Sequence, residues 1–177
     1  METDTVSFFI NHWPSKYGGS GLTETLRQLA AMELRNAVEQ VIVKSPDEKV
    51  VIMGDFNDPP GSSCISDHLG AVSNAAGRKD VFLHNMSTIS KGSVYGSYKY
   101  EGLWEMIDQF IVNDNFFHDS SGITSDPSLF HVFSPDFILE NDETYGGKKP
   151  SRTYYGMIYH GGLSDHLPVT LDLVLKK

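Results

Sequence analysis

Within the first third of the chain a short apolar run gives way to a repeat of about 3.6 residues and then to a second short apolar run. "VSFFINHWP" at residues 6–14 is an apolar run of β character that stops at Pro14, ahead of the turn residues "SKYGGSG". From Leu22 to about Lys44 there is neither Pro nor Gly. Leu22, Leu26, Leu29, Ala30, Leu34, Ala37, Val38 and Val41 fall on one side of the helical wheel, and Glu24, Gln28, Arg35 and Glu39 on the other. That spacing predicts an amphipathic helix. "KVVIMGDFNDPPG" (49–61) then holds a continuous apolar run, Val50 to Met53, too short for a helix and closed by Gly54. Such a run predicts a strand covered on both faces. Strand, helix and buried strand in succession predict an α/β architecture.

Further along, a short helix is expected around 62–70. "GSYKYEGLWEMIDQFIV" (96–112) reads as two strands with a turn near Gly102, and Met106–Val112 of the second is apolar except for Asp108 and Gln109. Residues 113–160, rich in Asn, Asp, Ser, Gly and Pro, read as loops with short strands. Val169, Leu171, Leu173 and Leu175 alternate with polar residues, the pattern of a half-covered last strand.

Length and composition narrow the function rather than the fold. The 177 residues suit one domain, taken as 1–177, and 40% hydrophobic against 21% charged residues is a globular balance. A single cysteine, Cys64, rules out an internal disulfide and is compatible with the cytosol. No run of about 18 apolar residues is present, so no membrane span is expected. "METDTVSFFI" carries acids rather than a basic leader, so it does not read as a signal peptide; the compartment stays open. The net charge of −9, from 14 basic and 23 acidic side chains, opposes broad attraction to long nucleic acid. A bound divalent cation would reverse that field locally, so an anionic substrate remains compatible.

Candidate chemistry sits where strands end. Asp55 and Asn57 follow the buried strand, where α/β sheets place their sites. A carboxylate there serves as general base or metal ligand and a carboxamide holds water or an oxyanion; Asp and Asn are equally good turn formers ahead of "DPPG". Asp108, inside an apolar run, needs a partner, either a basic side chain or an imidazole whose tautomer it fixes. His166, in "GGLSDHLPVTLDL" beside Asp165, is the candidate imidazole, and His12 ends the first strand as Asp55 ends its own.

The segments "NHWPSKYGG", "VIMGDFND", "WEMIDQFIV" and "GGLSDHLPV", in this order from residue 11 to residue 169, resemble successive motifs of the endonuclease/exonuclease/phosphatase family, which includes deoxyribonuclease I, and in particular its bacterial members. The resemblance implies part of a four-layer α/β sandwich, a mixed sheet flanked by helices, that uses Mg²⁺ or Mn²⁺ to hydrolyse phosphoesters. On this chain it implies Asp55 as the residue that orients or deprotonates the attacking water and touches the metal, and Asn57 as the side chain that steadies that water and the phosphoryl oxygens. It implies Asp165 as a metal-associated acid, His166 as the imidazole on the scissile phosphate, Asp108 as the acid orienting His166, and His12 as a second phosphate contact. Asn11, Lys16 and Arg152 are the expected substrate-binding residues.

Two earlier family motifs, a strand ending in Asn and a strand bearing the principal metal-binding Glu, have no counterpart here. The resemblance therefore implies the later portion of the family domain, with weak metal binding and little activity for the chain alone. It also implies a sheet face completed by a homodimer partner or by an N-terminal half. A phosphodiesterase or phosphatase is the leading expectation, and a non-catalytic remnant of the same fold acting in assembly or binding is the alternative.

Overall fold

The computed structural model describes residues 4–17, 20–73, 82–87, 95–118 and 122–176. Gly18 and Gly19 of the expected turn, and the Leu22 side chain, lie outside the described residues. In chain order the elements begin with β1 (Val6–His12), α1 (Ser20–Lys44), β2 (Lys49–Asp55), a π-helical turn (Cys64–Leu69), β3 (Ala71–Ser73) and β4 (Leu83–Asn85). They continue with β5 (Tyr98–Tyr100), β6 (Leu103–Glu105), β7 (Asp108–Asn113), α2 (Asn115–His118), β8 (Gly122–Thr124) and β9 (Phe130–Val132). The last are β10 (Leu139–Asn141), β11 (Lys148–Pro150), β12 (Tyr154–Tyr155), β13 (Ile158–Tyr159), β14 (Val169–Leu171) and β15 (Val174–Lys176).

Five strands form a mixed sheet in the order β1-β2-β7-β4-β3. β1 runs parallel to β2 and β4 to β3, while β7 is antiparallel to both β2 and β4. The side chains of β2 alternate between two cores, which is why its apolar run is continuous. Val50 and Ile52 pack with Ile111, Leu83, Phe56, Trp13 and the helix residues Ala31, Leu34 and Val38. Val51 points the other way, with Phe110, Val112, Met86, Met106, Phe116 and Phe130. On this second side Ile123, Val132, Val169 and Leu171 of β8, β9 and β14 pack against the sheet as another strand layer. The described residues thus build helix, sheet and strand layers of an α/β fold; a full four-layer sandwich goes beyond them.

Helix α1 forms where its spacing predicts, but it is rotated from the expected face. Leu26 and Leu29 are 52% and 54% exposed, and Arg27 is buried. The inward stripe is Arg27, Ala31, Leu34 and Val38, separated by four, three and four residues. The reason is a partner that local spacing does not reveal. Arg27 Nε donates to Asp58 Oδ2 at 2.8 Å, and its Nη1 donates to the Pro14 carbonyl and the Thr23 hydroxyl.

Three further expectations change in detail. The segment 96–112 forms three strands rather than two, because the Glu101–Gly102 turn (φ 46° and 83°) reverses the chain and Met106–Ile107 leaves the ladder before β7. Asp108 is therefore the first residue of its strand, not an interior one. The last strand is split, β14 pairing with β9 and β15 with β8. The helix expected at 62–70 is the π-helical turn, closed by Gly70 at φ 78°.

Candidate active site

The ladder itself assembles the site. His12 is the register partner of Asp55 across β1 and β2, and Asp55 is the partner of Asp108 across β2 and β7. Residues directly opposite one another point to the same sheet face, so the three side chains form one row across neighbouring strands. His12 Nε2 lies 3.6 Å from Asp55 Oδ2. At the far end of the row, His166 Nδ1 is 2.7 Å from Asp108 Oδ2. Asp108 thus has the imidazole partner that one of its two sequence readings requires.

Asn57 sits at φ 51°, a left-handed conformation that Asn tolerates better than most residues. The turn folds its amide back over Asp55. Asn57 N donates to Asp55 Oδ1 at 2.8 Å, and Asn57 Nδ2 donates to Asp55 Oδ2 at 3.3 Å and to the Trp13 carbonyl at 2.9 Å. Phe56 between them is fully buried, edge-on to Trp13 with ring centres 4.9 Å apart, and anchors the turn to the core. Gly54 is required just before it, since a Cβ there would stand 2.0 Å from the Asn11 carbonyl oxygen.

His166 arrives on a loop built by close backbone approach. A Cβ on Gly162 would lie 2.3 Å from the Ser151 carbonyl oxygen, which itself accepts the Leu163 and Ser164 amides. Ser164 Oγ then accepts the His166 amide, and the Leu167 amide donates to the Ser97 carbonyl at 2.7 Å. Tyr98 bridges to His166 through the backbone, and its ring lies against the imidazole at 4.8 Å.

Electrostatics follow from this crowding. Burial pushes the Asp55 carboxyl above its usual range; the Asn57 amide opposes that and the neighbouring Asp108 adds to it. Burial pulls the His166 imidazole down, but the Asp108 hydrogen bond and the charges of Asp108, Asp55 and Asp165 outweigh it and hold the ring above its ordinary value. Burial pushes the Cys64 thiol up to about 11.

Asp55, Asp108 and His166 each offer one ligand atom, and these lie within 4.8 Å of one another. Of these three groups the two carboxylates, Asp55 and Asp108, are oxygen donors that suit a hard divalent cation, while the His166 ring is already engaged at Nδ1 by Asp108. Asp165 is exposed and outside this triplet, acting on His166 through its charge.

The expected substrate-binding residues are spread out. Asn11 lies on the opposite face of β1 from His12; it donates to the Phe9 and Met53 carbonyls and accepts from Trp13 Nε1. Lys16 stands 3.8 Å from Asp58 and 3.7 Å from Glu105. The Arg152 guanidinium lies 5.4 Å from the Tyr98 ring centre, one ring removed from His166, and donates to the Lys99 carbonyl. Sequence reasoning missed Ser97 and Tyr98, because a small polar residue and a tyrosine opening a short strand carry no signal of their own.

A model of the Endonuclease/Exonuclease/phosphatase family matches residues 1–175. No curated protein matches the chain in sequence. Among solved structures it is similar to a mannosyl-6-phosphatase of Bacteroides thetaiotaomicron VPI-5482, with a TM-score of 0.55 at 16% identity over 95% of this chain and 51% of that one. It is also similar to an endonuclease/exonuclease/phosphatase family protein from Bacteroides thetaiotaomicron, with a TM-score of 0.53 at 14% identity over 96% of this chain and 48% of the other. The chain spans about half the length of these two structures, and the likeness is one of fold.

Proposed function

The chain belongs to the endonuclease/exonuclease/phosphatase family, and from that footing we propose that it is a metal-dependent hydrolase of a small phosphoester, acting by attack of an activated water on phosphorus. The observation that carries the proposal is the single row His12, Asp55, Asp108, with His166 held at 2.7 Å on Asp108. Asp55, raised by burial, is a stronger base than an ordinary carboxylate and takes the proton of the attacking water. Asn57, bonded to both oxygens of Asp55, fixes that carboxylate and steadies the water. His166, oriented at Nδ1 by Asp108, presents Nε2 to a phosphoryl oxygen and carries a proton there above the usual imidazole range. His12 offers a second contact at the other end of the row.

Mg²⁺ or Mn²⁺ would be held by Asp55 with Asp108 nearby, Asp165 being exposed and outside this cluster; it would supply charge neutralisation on the phosphoryl group. Net charge of −9 favours a small phosphoester over long nucleic acid. Arg152 beside Tyr98 is the better-placed residue to steer it, since Lys16 is committed to Asp58 and Glu105.

Assembly belongs to the same reading. Phe8 and Ile10 on edge strand β1 are 56% and 80% exposed, on the face that elsewhere meets the second strand layer. A second copy, or an N-terminal half of the family fold, is the natural cover for that apolar edge. Light scattering on the purified chain checks this, and a monodisperse monomer at micromolar concentration contradicts it.

Calorimetry with Mn²⁺ and Mg²⁺, beside turnover of p-nitrophenyl phosphate and its diester, tests the catalytic reading. Weak metal binding and slow turnover, both diminished by Asp55→Ala and turnover lost in His166→Ala, are expected. Turnover indifferent to both substitutions overturns the proposal.

A further inference from the structure

We propose that Ser97 is the positioning residue of this site: one buried serine holds Asp108 and His166 in a single frame and so sets the geometry of the acid–imidazole pair. The inference rests on the reading that this pair acts on the substrate, but its geometry stands apart from turnover. Ser97 is fully buried immediately before β5. Its Oγ accepts the amide of Ile107 at 3.2 Å and the amide of Asp108 at 3.0 Å. Its own amide donates to the Glu105 carbonyl at 2.9 Å, and its carbonyl accepts the amide of Leu167 at 2.7 Å. The next residue, Tyr98, bridges to His166 and lays its ring on the imidazole.

Three remote stretches of chain therefore meet at one residue. The hydroxyl holds the backbone that carries Asp108, and the carbonyl holds the residue after His166. The frame has little slack. Gly96 packs so closely that a Cβ there would be 2.3 Å from the Glu105 carbonyl oxygen. Leu167 is buried, so the loop bearing His166 is fixed on its inner side as well. Ile107 is tied from its other side, its carbonyl accepting the Phe56 amide of the turn that carries Asp55 and Asn57. A displacement at Ile107–Asp108 is thereby passed to both halves of the site.

Removing the hydroxyl leaves two inward-facing amides without this acceptor, and buried amides seek another. The backbone at the start of β7 would move, and Asp108 with it. A shift of about 0.5 Å is enough to spoil a preorganised pair. Ser97 touches neither reacting atom, so its effect must be read on the pair itself.

The experiment uses the isotope-labelled 177-residue chain and follows the ring nitrogen and Nδ1–H resonances of His166, with thermal unfolding alongside. Asp108→Asn marks the signature of a lost carboxylate bond. Ser97→Ala should move the ring resonances toward the Asp108→Asn values while the rest of the spectrum stays folded. In the assay Ser97→Ala should lower kcat by about 10- to 100-fold with KM little changed, as a misplacement on the ångström scale does. Added to Asp108→Asn it should cause no further loss. A folded Ser97→Ala chain whose His166 resonances match the unsubstituted protein overturns the proposal. If Ser97→Ala does not fold, Ser97→Cys, a weaker acceptor at the same position, decides: intermediate resonances support the role and unchanged ones refute it. Absence of turnover in every variant would sink the hydrolase reading and leave the resonance result to judge Ser97.

Discussion

Substituting Asp58 by Ala tests what holds helix α1 on the sheet. Arg27 and Asp58 are 2% and 6% exposed, and their Nε–Oδ2 separation is 2.8 Å. Deleting the carboxylate leaves a guanidinium in the core with, among the described residues, the Pro14 carbonyl and the Thr23 hydroxyl as its acceptors. Breaking a buried pair in this way costs about 3–5 kcal/mol. The two surviving hydrogen bonds place the value toward the lower end. Domains of this size move by about 2–4 °C in Tm per kcal/mol, so a fall of about 6–20 °C is expected. Thermal and urea unfolding followed by near-ultraviolet circular dichroism suit the measurement, because Trp13 is buried against Phe56 and next to Pro14. The double substitution Arg27→Met with Asp58→Leu removes both charges. It should be less damaging than Asp58→Leu alone, and the cycle closed with Arg27→Met and Asp58→Leu should give a coupling within the 0.5–3 kcal/mol that contacting residues show, at about 1.5 kcal/mol or more. A loss below about 1 kcal/mol for Asp58→Ala, or simple additivity in the cycle, would refute the view that this pair sets the helix face.

Gly54→Ala should destabilise the chain by at least about 1–3 kcal/mol from its positive φ alone, and by more from the clash with the Asn11 carbonyl; a near-neutral effect in urea unfolding would contradict the close β1–β2 approach. Asp142 is held down to about 2 by its hydrogen bond to buried Lys99, and by the Tyr145 and Thr144 amides, from an ordinary value of 3.8. A depressed carboxyl stabilises the fold above its unfolded pKa and loses that contribution as pH falls through the folded one. Asp142→Asn should therefore be less stable than the unsubstituted chain at neutral pH, and the gap should close between about pH 4 and pH 2. A gap independent of pH in that window would mean that Lys99 does not set the Asp142 pKa.

Much of this protein is legible in its sequence because periodicity is a local property. The apolar run Val50–Met53, the long Pro- and Gly-free stretch to Lys44, and the alternation after Pro168 each state an element without reference to any other. Asp55 at the end of its strand was legible for the same reason, whereas the start of β7 at Asp108 was not, since the sequence places Asp108 inside a longer apolar run. Register, however, depends on pairing between remote segments. Only the ladder puts His12, Asp55 and Asp108 in one row, and only a loop drawn in by the Ser151 and Ser97 carbonyls brings His166 within 2.7 Å of Asp108. The face of α1 was likewise decided by tertiary structure. On the wheel Leu26 and Leu29 outrank a charged residue, yet Arg27 turns inward because Asp58, 31 residues away, meets it there. A helix wheel weighs each side chain by its transfer from water, whereas a buried charge with a matched counter-charge is favourable only as a pair, and the pair exists only once the chain has folded.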